Sequence, residues 1–337
     1  MELFPEILGR SPAMQKLFAD MTRAAACEVN VHIHGETGTG KEKVARALHE
    51  RSRRRGRPFV PVNAAGLSDD LFEAQLFGHV RGAFTGAVAD RPGYVAAAEG
   101  GTLFMDEVGE LSPRAQAKLL RFLEGREYQR LGDPTVRRAN VRLLTATNVD
   151  LVREVARGRF REDLLYRLND LVLSVPSLRS RGEDLLLLAQ HFIDEAVRSE
   201  GQARPRPIPA FWRAVRHYHW PGNVRQLQGE MRRLVVMAGG RAVGPDDLSS
   251  GVAAAPAVPR APLRSFLQDA ERGHVQRTLE AHGGVRSAAA AALGITRQAL
   301  HAKMRRLGLT GLPGSPGGRG GADVSRSSAR RPALLED

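Results

Sequence analysis

Short apolar runs alternate with helix-like stretches from residue 10 to about residue 176. Five of these runs have the composition of β-strands, and they occupy residues 29–35, 59–63, 101–107, 141–148 and 170–176. Strands that alternate with helices are typical of a parallel sheet with helices on both faces. The pattern therefore predicts an α/β core over residues 1–176.

The second half of the chain loses the strand pattern. Helical periodicity dominates residues 177–248 and predicts an all-helical subdomain. An Ala- and Pro-rich stretch at 249–262 is predicted to be a linker, and a compact helical unit follows at 263–310. The tail at 311–337 has little to bury and is predicted to be disordered.

Composition narrows the class of protein. At 337 residues the chain has room for two or three domains. Cys27 is the single cysteine, which excludes an intramolecular disulfide, and it is expected to be a small buried residue. The chain has neither a long apolar run nor a signal-peptide pattern, so a cytoplasmic protein without a membrane segment is expected. The net charge of +13 would suit a nucleic-acid partner, but only five of the 50 basic residues are lysines, a bias that codon composition could also produce.

The segment "GETGTGKE" at 35–42 follows the first strand and has the spacing of a phosphate-binding loop. Glycines let backbone N–H groups surround phosphates, a helix N-terminus adds its positive dipole end, and Lys41 reaches the β- and γ-oxygens. The general pattern continues with Ser or Thr, whereas this chain has Glu42, which indicates either altered metal coordination or a decoy. The predicted nucleotide-binding residues of the loop are Gly35, Glu36, Thr37, Gly38, Thr39, Gly40, Lys41 and Glu42.

A carboxylate pair after the third strand argues against the view that the loop motif is a decoy, that is, a match without a phosphate site. The run "TLFMDE" ends in Asp106 and Glu107, and a buried parallel strand would deliver them at its carboxyl edge, where α/β sheets bind ligands. Adjacent strand residues point in different directions, so the two suit different roles. Asp106 is predicted to hold Mg²⁺, and Glu107 to polarise an attacking water. Nucleotide hydrolysis is therefore the leading predicted activity.

Polar residues at other strand ends fall beside the expected γ-phosphate. Asn63 ends the second strand, and Thr147 and Asn148 end the fourth. Each of them alone would be an ordinary strand-end cap. Arg225 lies in the first turn of a predicted helix with Asn223 as its expected N-cap, where a lid could press the arginine onto a nucleotide.

Two arginines, Arg161 and Arg167, lie in "GRFREDLLYRLN", which is predicted to be helical. Six helical positions correspond to about 600°, so the two side chains cannot share one face of a helix. If one of them projects to a neighbouring subunit's phosphate, the other has a different role.

The segment "GAFTGA" at 82–87 places Phe84 and Thr85 between glycines. Gly82 and Gly86 make the segment a poor helix and a poor strand. Phe84 is therefore either packed in a local pocket or displayed to a partner.

Residues 263–310 contain two helical stretches separated by a turn at "LGIT", which is the spacing of a helix-turn-helix. The segment has eight basic and three acidic residues. A helical dimerisation unit with an incidental basic face is the alternative. Base contacts are expected at the start of the second helix, from Arg297, Gln298 and His301. Phosphate contacts are expected further along it, from Lys303, Arg305 and Arg306.

The order of these motifs resembles that in the AAA+ ATPases that activate sigma-54 RNA polymerase, the NtrC-type bacterial enhancer-binding proteins. The resemblance covers residues 7–248 and rests on "GETGTGKE", "QLFGH", "GAFTGA", "GGTLFMDEV", "FREDLLYRLN" and "WPGNVRQL". Glu42 is usual in this group, and "GAFTGA" is the group's own loop. The segment 263–310 is similar to the family's Fis-type domain, although Val285 and His301 stand where that domain more often has Asn and Tyr.

The resemblance implies an ATP- and Mg²⁺-dependent hexameric ring with a helical lid. Arg161 or Arg167 would complete the neighbouring subunit's site, and Asn63 would restrain Glu107 until the γ-phosphate is sensed. The polar pair that ends the fourth strand would report hydrolysis.

The same resemblance implies that the loop 82–87 contacts the sigma factor, rising toward it in one nucleotide state and folding back in another. Phe84 and Thr85 would then be exposed. The implied partners are sigma-54 RNA polymerase and an upstream site on double-stranded DNA. The implied sigma-54 contact consists of Gly82, Ala83, Phe84, Thr85, Gly86 and Ala87.

Two other functions stay open at this point. One is a ring ATPase that remodels a different protein, and the other is a DNA-binding repressor whose core no longer activates transcription. The helix-turn-helix argues against the first, and the intact "GAFTGA" argues against both. Nothing the size of a receiver domain precedes residue 10. We therefore expect control by a separate regulatory protein, control by expression level, or a chain that has lost its sensor domain.

Overall fold

Five parallel strands form the sheet at the centre of the first of two compact units. The computed structural model describes residues 4–67, 69–253, 263–307 and 309. The strands are β1 (Val31–His34), β2 (Phe59–Asn63), β3 (Thr102–Asp106), β4 (Arg142–Thr147) and β5 (Leu171–Ser174). They are ordered β2-β3-β4-β1-β5, so the five strands and the parallel sheet predicted from the apolar runs are confirmed.

Alternate residues of the strands pack on opposite faces of this sheet. On β3, Leu103 and Met105 belong to one apolar core, whereas Phe104 belongs to the other. The Phe104 core lies under α1 and α2, and the opposite core lies under α3, α5 and α7. The helices of this unit are α1 (Pro12–Ala26), α2 (Lys41–Glu50), α3 (Asp69–Leu76), α4 (Tyr94–Ala97), α5 (Pro113–Gly125), α6 (Leu151–Ala156) and α7 (Glu162–Leu168). The result is a sheet with helices on both faces.

Two pairs of short antiparallel strands interrupt this pattern. Gly78–His79 pairs with Arg91–Pro92, and Glu127–Tyr128 pairs with Arg137–Arg138. The first pair brackets the segment 80–90, which contains "GAFTGA".

A helical lid follows the sheet and has its own apolar core. Its helices are α8 (Asp184–Glu200), α9 (Pro209–His217), α10 (Asn223–Ala238) and α11 (Ser250–Ala253). A two-residue parallel pair, Arg206–Pro207 with Ala242–Val243, adds a strand element that the helical pattern did not predict.

The structure corrects two expectations in this unit. The predicted linker begins at residue 249, but Ser250–Ala253 is helical and Val252 is buried in the lid core, so these residues belong to the lid. Residues 254–262 of the linker and the predicted disordered tail at 311–337 lie outside the described residues. Cys27 is exposed rather than buried because it lies just after the end of α1.

The second unit contains α12 (Leu263–Ala281), α13 (Arg286–Ala292) and α14 (Arg297–Arg306). The turn before α14 ends at Thr296, whose hydroxyl accepts a hydrogen bond from the Ala299 N–H and caps the helix. Among the described residues of this unit, the buried core is small and consists of Val275, Leu279, Ala289, Ala290, Leu300, Met304, Leu307 and Leu309. No helix among the described residues is long and apolar enough to cross a membrane.

We expect Leu300→Ala to unfold the second unit selectively. Leu300 is fully buried in this small core, and such a truncation costs about 2–5 kcal/mol, which is a large fraction of the stability of a domain of this size. Calorimetry should show the loss of one transition while the unit containing the sheet still melts as before. Gln298→Ala, an exposed change on the same helix, is the control. A single transition that shifts as a whole in Leu300→Ala would contradict the expectation.

Candidate functional site

The phosphate-binding loop connects β1 to α2 at the carboxyl edge of the sheet. Gly38 and Gly40 have positive φ values of 78° and 99°, a conformation that favours glycine. Gly40 is also the N-cap of α2 and has no side chain to satisfy the amides of the first turn. The helix N-terminus therefore presents N–H groups and its positive dipole end to an anion.

Lys41 is the first residue of α2, and its side chain is buried. Its ammonium donates to the Gly35 carbonyl at 3.0 Å and lies 3.9 Å from Glu107 Oε1. The predicted phosphate lysine and the predicted catalytic glutamate are thus brought together. Glu42, in contrast, is 57% exposed and lies 3.4 Å from Arg46 on the same helix.

Asp106 and Glu107 lie at the end of β3, and the structure gives them different surroundings. Asp106 Oδ1 accepts a hydrogen bond from the Glu107 N–H at 2.9 Å. Glu107 has a left-handed backbone (φ 53°), and its Oε2 is buried with no hydrogen-bond partner among the described residues. A strained backbone and an unpaired buried oxygen are features that cluster at functional sites.

The donor set fits a single magnesium ion held largely by phosphates. No cluster of three or more His, Cys, Asp or Glu side chains is placed to hold a metal ion in the part of the chain that the structure describes. Mg²⁺ is commonly bound through one or two carboxylates together with substrate phosphates. Asp106, which faces the cavity beside the loop, is the carboxylate that meets this requirement.

The polar residues at the other strand ends are only partly brought to the loop. Asn148 donates to the Thr37 hydroxyl at 2.9 Å. The Thr147 hydroxyl is buried and accepts from the Val149 N–H at 3.2 Å, so it serves a local turn.

Asn63 lies opposite Asp106 in the sheet register. Its Oδ1 accepts from the Ala65 N–H at 3.0 Å and so caps the next turn. No hydrogen bond joins Asn63 to Glu107 among the described contacts, so the implied restraint of Glu107 by Asn63 is not formed in this conformation.

A cavity of about 270 Å³ lies beside the loop and combines polar and apolar walls. Loop residues 37–43 and the carboxylate pair form its polar side. Arg225 of the lid lines it as predicted, and the Arg225 N–H donates to the Gly38 carbonyl at 3.2 Å. Apolar side chains that the sequence did not indicate close the rest of the cavity, and they include Ile7, Leu8, Leu188, Phe192 and Val224.

Asn223 does not have the role expected of it, and its side chain contacts Glu36 of the loop. Asn223 begins α10 with a φ of 50°, and Gly222 is the N-cap, so the predicted cap is wrong. The Asn223 side chain instead contacts the loop and donates to Glu36 Oε2 at 3.1 Å. Arg179 forms a bidentate ion pair with the same carboxylate. Hydrogen bonds from Arg179 first, and from Asn223 next, hold the pKa of Glu36 below its usual value.

Arg161 and Arg167 lie at opposite ends of α7. Arg161 is the N-cap with an extended backbone, so the helical-wheel argument does not apply to it, and its guanidinium pairs with Asp163. Arg167 is in the last turn, is exposed, and makes no ion pair within the described residues. Neither arginine lines the cavity of its own chain.

The loop 82–87 is closed by its own backbone. The Gly82 N–H donates to the Ala87 carbonyl at 2.8 Å, and Gly82 has a φ of 81°. Thr85 is exposed as expected. Phe84 is half-buried, with its ring edge-on to His79 at a centroid distance of 5.0 Å, so the expectation that it is exposed is wrong for this conformation.

The basic residues of α14 differ in whether they form ion pairs with residues of their own chain. Arg297, Gln298 and His301, predicted to face bases, are all exposed. Lys303 and Arg306 both form ion pairs with Glu271 of α12, which holds the pKa of Glu271 below its usual value, chiefly through the hydrogen bond from Lys303.

Of the residues predicted to meet phosphates, Arg305 is exposed and makes no ion pair within the described segment of this unit. A phosphate contact by Lys303 or Arg306 must therefore compete with Glu271.

Comparison with known proteins gives the family. The family model for the sigma-54 interaction domain matches residues 7–174. The transcriptional regulatory protein ZraR of Escherichia coli (strain K12) is 43% identical over 302 residues, which are 89% of this chain and 68% of that protein. The alginate biosynthesis transcriptional regulatory protein AlgB of Pseudomonas aeruginosa is also 43% identical, over 89% of this chain and 67% of that protein. The chain belongs to the sigma-54-dependent transcriptional activators.

The other matches agree with the architecture of a sigma-54-dependent activator. An AAA+ ATPase lid domain matches residues 179–262, and the Fis family of bacterial regulatory proteins matches residues 266–307. The crystal structure of NtrX from Brucella abortus in complex with ATP has a TM-score of 0.69 and 32% identity, and it covers 90% of this chain and 69% of that chain. The family resemblance, the AAA+ fold class and the helix-turn-helix inferred from the sequence are confirmed.

In this sigma-54-dependent activator, we expect Glu107→Gln to abolish most hydrolysis while nucleotide still binds. Loss of a positioned general base costs about 10²–10⁴-fold in rate. Nucleotide affinity should not fall, because the change removes a negative charge 3.9 Å from Lys41, which is then freer to bind phosphate. Phosphate release and binding of a fluorescent ATP analogue measure the two effects. Glu110→Gln, at an exposed position nearby, should leave both unchanged. If binding and hydrolysis fall together, Glu107 serves the structure of the site instead.

We expect Glu271→Gln to strengthen DNA binding by releasing Lys303 and Arg306. Each cation that gains a phosphate contact steepens the plot of log affinity against log salt by about 0.9. Titrations of duplex DNA at several salt concentrations measure this slope. Glu280→Gln changes the net charge equally, but Glu280 accepts from Gln276 and pairs with no basic residue in the described part of this unit. Equal slopes for the two variants would show that Glu271 does not compete with DNA.

Proposed function

We propose that this sigma-54-dependent activator binds DNA upstream of its promoters and uses ATP hydrolysis to remodel sigma-54 RNA polymerase for open-complex formation. The loop 82–87 carries this proposal. It is a glycine-flanked turn, bonded mainly to itself, that presents Thr85 on an insertion in a nucleotide-binding core, and the side chain of Val88, the residue after the loop, is 82% exposed. A turn of this kind can change conformation without unfolding the sheet.

The proposed hydrolysis uses groups that lie around one cavity. Residues 35–42 would bind the phosphates, with Lys41 on the β- and γ-oxygens, and Arg225 would approach from the lid. Asp106 would hold Mg²⁺, which when bound neutralises charge on the phosphates. Glu107 would accept hydrogen bonds from the attacking water and orient it, since its Oε2 has no other partner among the described residues. Thr147 and Asn148 would report the state of the γ-phosphate, with Asn148 acting through Thr37.

We propose a homohexamer as the active form. Arg161 and Arg167 lie outside the cavity of their own chain and are exposed, which suits a role in the neighbouring subunit's site. The helix-turn-helix would bind double-stranded DNA through Arg297, Gln298, His301 and Arg305, with Lys303 and Arg306 available once released from Glu271.

We expect Thr85→Ala to separate hydrolysis from engagement of the polymerase. Thr85 is exposed at the turn and lies outside the cavity, so its hydroxyl should be dispensable for ATP turnover. The measurement is capture of sigma-54 by the full chain in the presence of ADP and aluminium fluoride, alongside a hydrolysis assay. Wild type should form the complex, and the variant should hydrolyse ATP within about twofold of wild type while its capture falls at least tenfold.

Thr22→Ala is the matched control, since Thr22 is an exposed threonine on α1 in the same unit. It should capture sigma-54 normally. If active wild-type protein captures no sigma-54, the ring acts on another client. If capture occurs but a sigma-54-dependent reporter is not activated, the protein represses transcription instead.

A further inference from the structure

The lid and the phosphate-binding loop approach closely between Gly222 and Gly38. A Cβ on Gly38 would lie 2.3 Å from the Gly222 carbonyl oxygen, and Gly38 already has a positive φ. The loop and the first turn of α10 therefore approach at a distance that only glycine allows. This contact places Arg225, three residues after Gly222, at the mouth of the cavity.

Asn223 joins three separate backbone segments at this contact. Its side chain is fully buried. Its Oδ1 accepts from the Leu178 N–H at 2.8 Å, and its Nδ2 donates to the Thr37 carbonyl at 3.0 Å and to Glu36 Oε2 at 3.1 Å. Because one amide serves both the lid and the loop, neither can shift without breaking buried hydrogen bonds.

Arg179 holds the carboxylate of Glu36 in place. Its guanidinium donates to Glu36 Oε2 at 2.8 Å and also pairs with Oε1, so the contact is bidentate. An exposed ion pair with a single hydrogen bond contributes little to stability. A bidentate contact from arginine is stronger and also fixes the orientation of the carboxylate. The carboxylate so oriented is the one that Asn223 contacts.

We propose that Glu36, Arg179 and Asn223 form a lid latch, a set of positioning residues that hold the lid closed over the phosphate-binding loop and so place Arg225 against the nucleotide. The latch rests on the proposed function, since it takes a nucleotide to be what the closed lid covers. It assigns the side chain of Glu36 to the lid contact and leaves phosphate binding at this position to the backbone of the loop. None of the three side chains is placed to take part in the chemistry itself, because Glu36 and Arg179 face each other and Asn223 is buried.

The latch predicts a loss of affinity without a matching loss of turnover. Opening the lid lowers the population of the binding-competent state, and apparent affinity falls by the same factor. Saturating nucleotide restores the closed state by mass action. We therefore expect Arg179→Gln to weaken binding of a fluorescent ADP analogue about five- to tenfold, while kcat for ATP changes less than twofold. In a Glu36→Gln background, Arg179→Gln should add no further loss, because both changes remove one pair.

A distance measurement tests the latch without reference to activity. Cysteines at the exposed positions Arg53 and Arg198, in a Cys27→Ser background, place one spin label on the core and one on the lid. Labelled chains diluted into unlabelled chains should give one narrow distance in wild type and a broadened one in Arg179→Gln. ADP should narrow it again. Arg216→Gln breaks an exposed ion pair with Glu183 elsewhere in the lid and is the matched control.

The outcomes separate the latch from the proposed function. Unchanged affinity and distances in Arg179→Gln, with normal capture of sigma-54, would overturn the latch alone. Failure to capture sigma-54 would overturn the proposed function and leave both measurements valid. Asn223→Ala should show the larger effect, and if it does not fold, the half-exposed Glu36 and Arg179 variants decide the matter.

Discussion

Parallel pairing of the five strands determines where the phosphate-binding loop and the polar residues at the strand ends lie. Asn63 aligns with Asp106 and His34 aligns with Thr147, so the segments after four of the strands begin at one edge. The phosphate-binding loop is further fixed because α2 packs into the core beneath it through Val44 and Leu48. Each fully buried side chain of this kind contributes about 1.5–3 kcal/mol. The loop therefore cannot move far without opening the apolar core.

Local sequence signals were sufficient to predict this framework. The apolar runs predicted all five strands, and the glycine spacing predicted a loop that leads into a helix, which the structure begins at Lys41. The carboxylates at 106 and 107 follow directly from the end of a buried strand. These features depend on residues that are close together in the sequence. Composition and periodicity are therefore enough to predict them. The order of the motifs then indicated a family that the comparisons confirm.

Contacts between distant segments could not be predicted in the same way. Asn223 had the position of a helix cap, but its positive φ turns the side chain toward a loop 187 residues away. Phe84 had the flanks of a displayed residue, yet it finds the ring of His79 at the base of its own hairpin. Lys303 and Arg306 were expected to be available for phosphates, but Glu271 of α12 forms ion pairs with both. In each case several partners are compatible with the residue type, and only tertiary packing selects one.

The rigid sheet also explains how the strained glutamate persists. The left-handed backbone of Glu107 costs about 1–3 kcal/mol, and its unpaired buried oxygen costs a similar amount. β3 can hold this residue because β2 and β4 pair with it on both sides and Val108 is buried immediately after it. The loop 82–87 has no such support, since it is bonded mainly to itself and joins the core through a two-residue strand pair. The strain at Glu107 is therefore held by strand pairing on both sides, whereas the loop 82–87 lies in an insertion that can rearrange without disturbing the sheet.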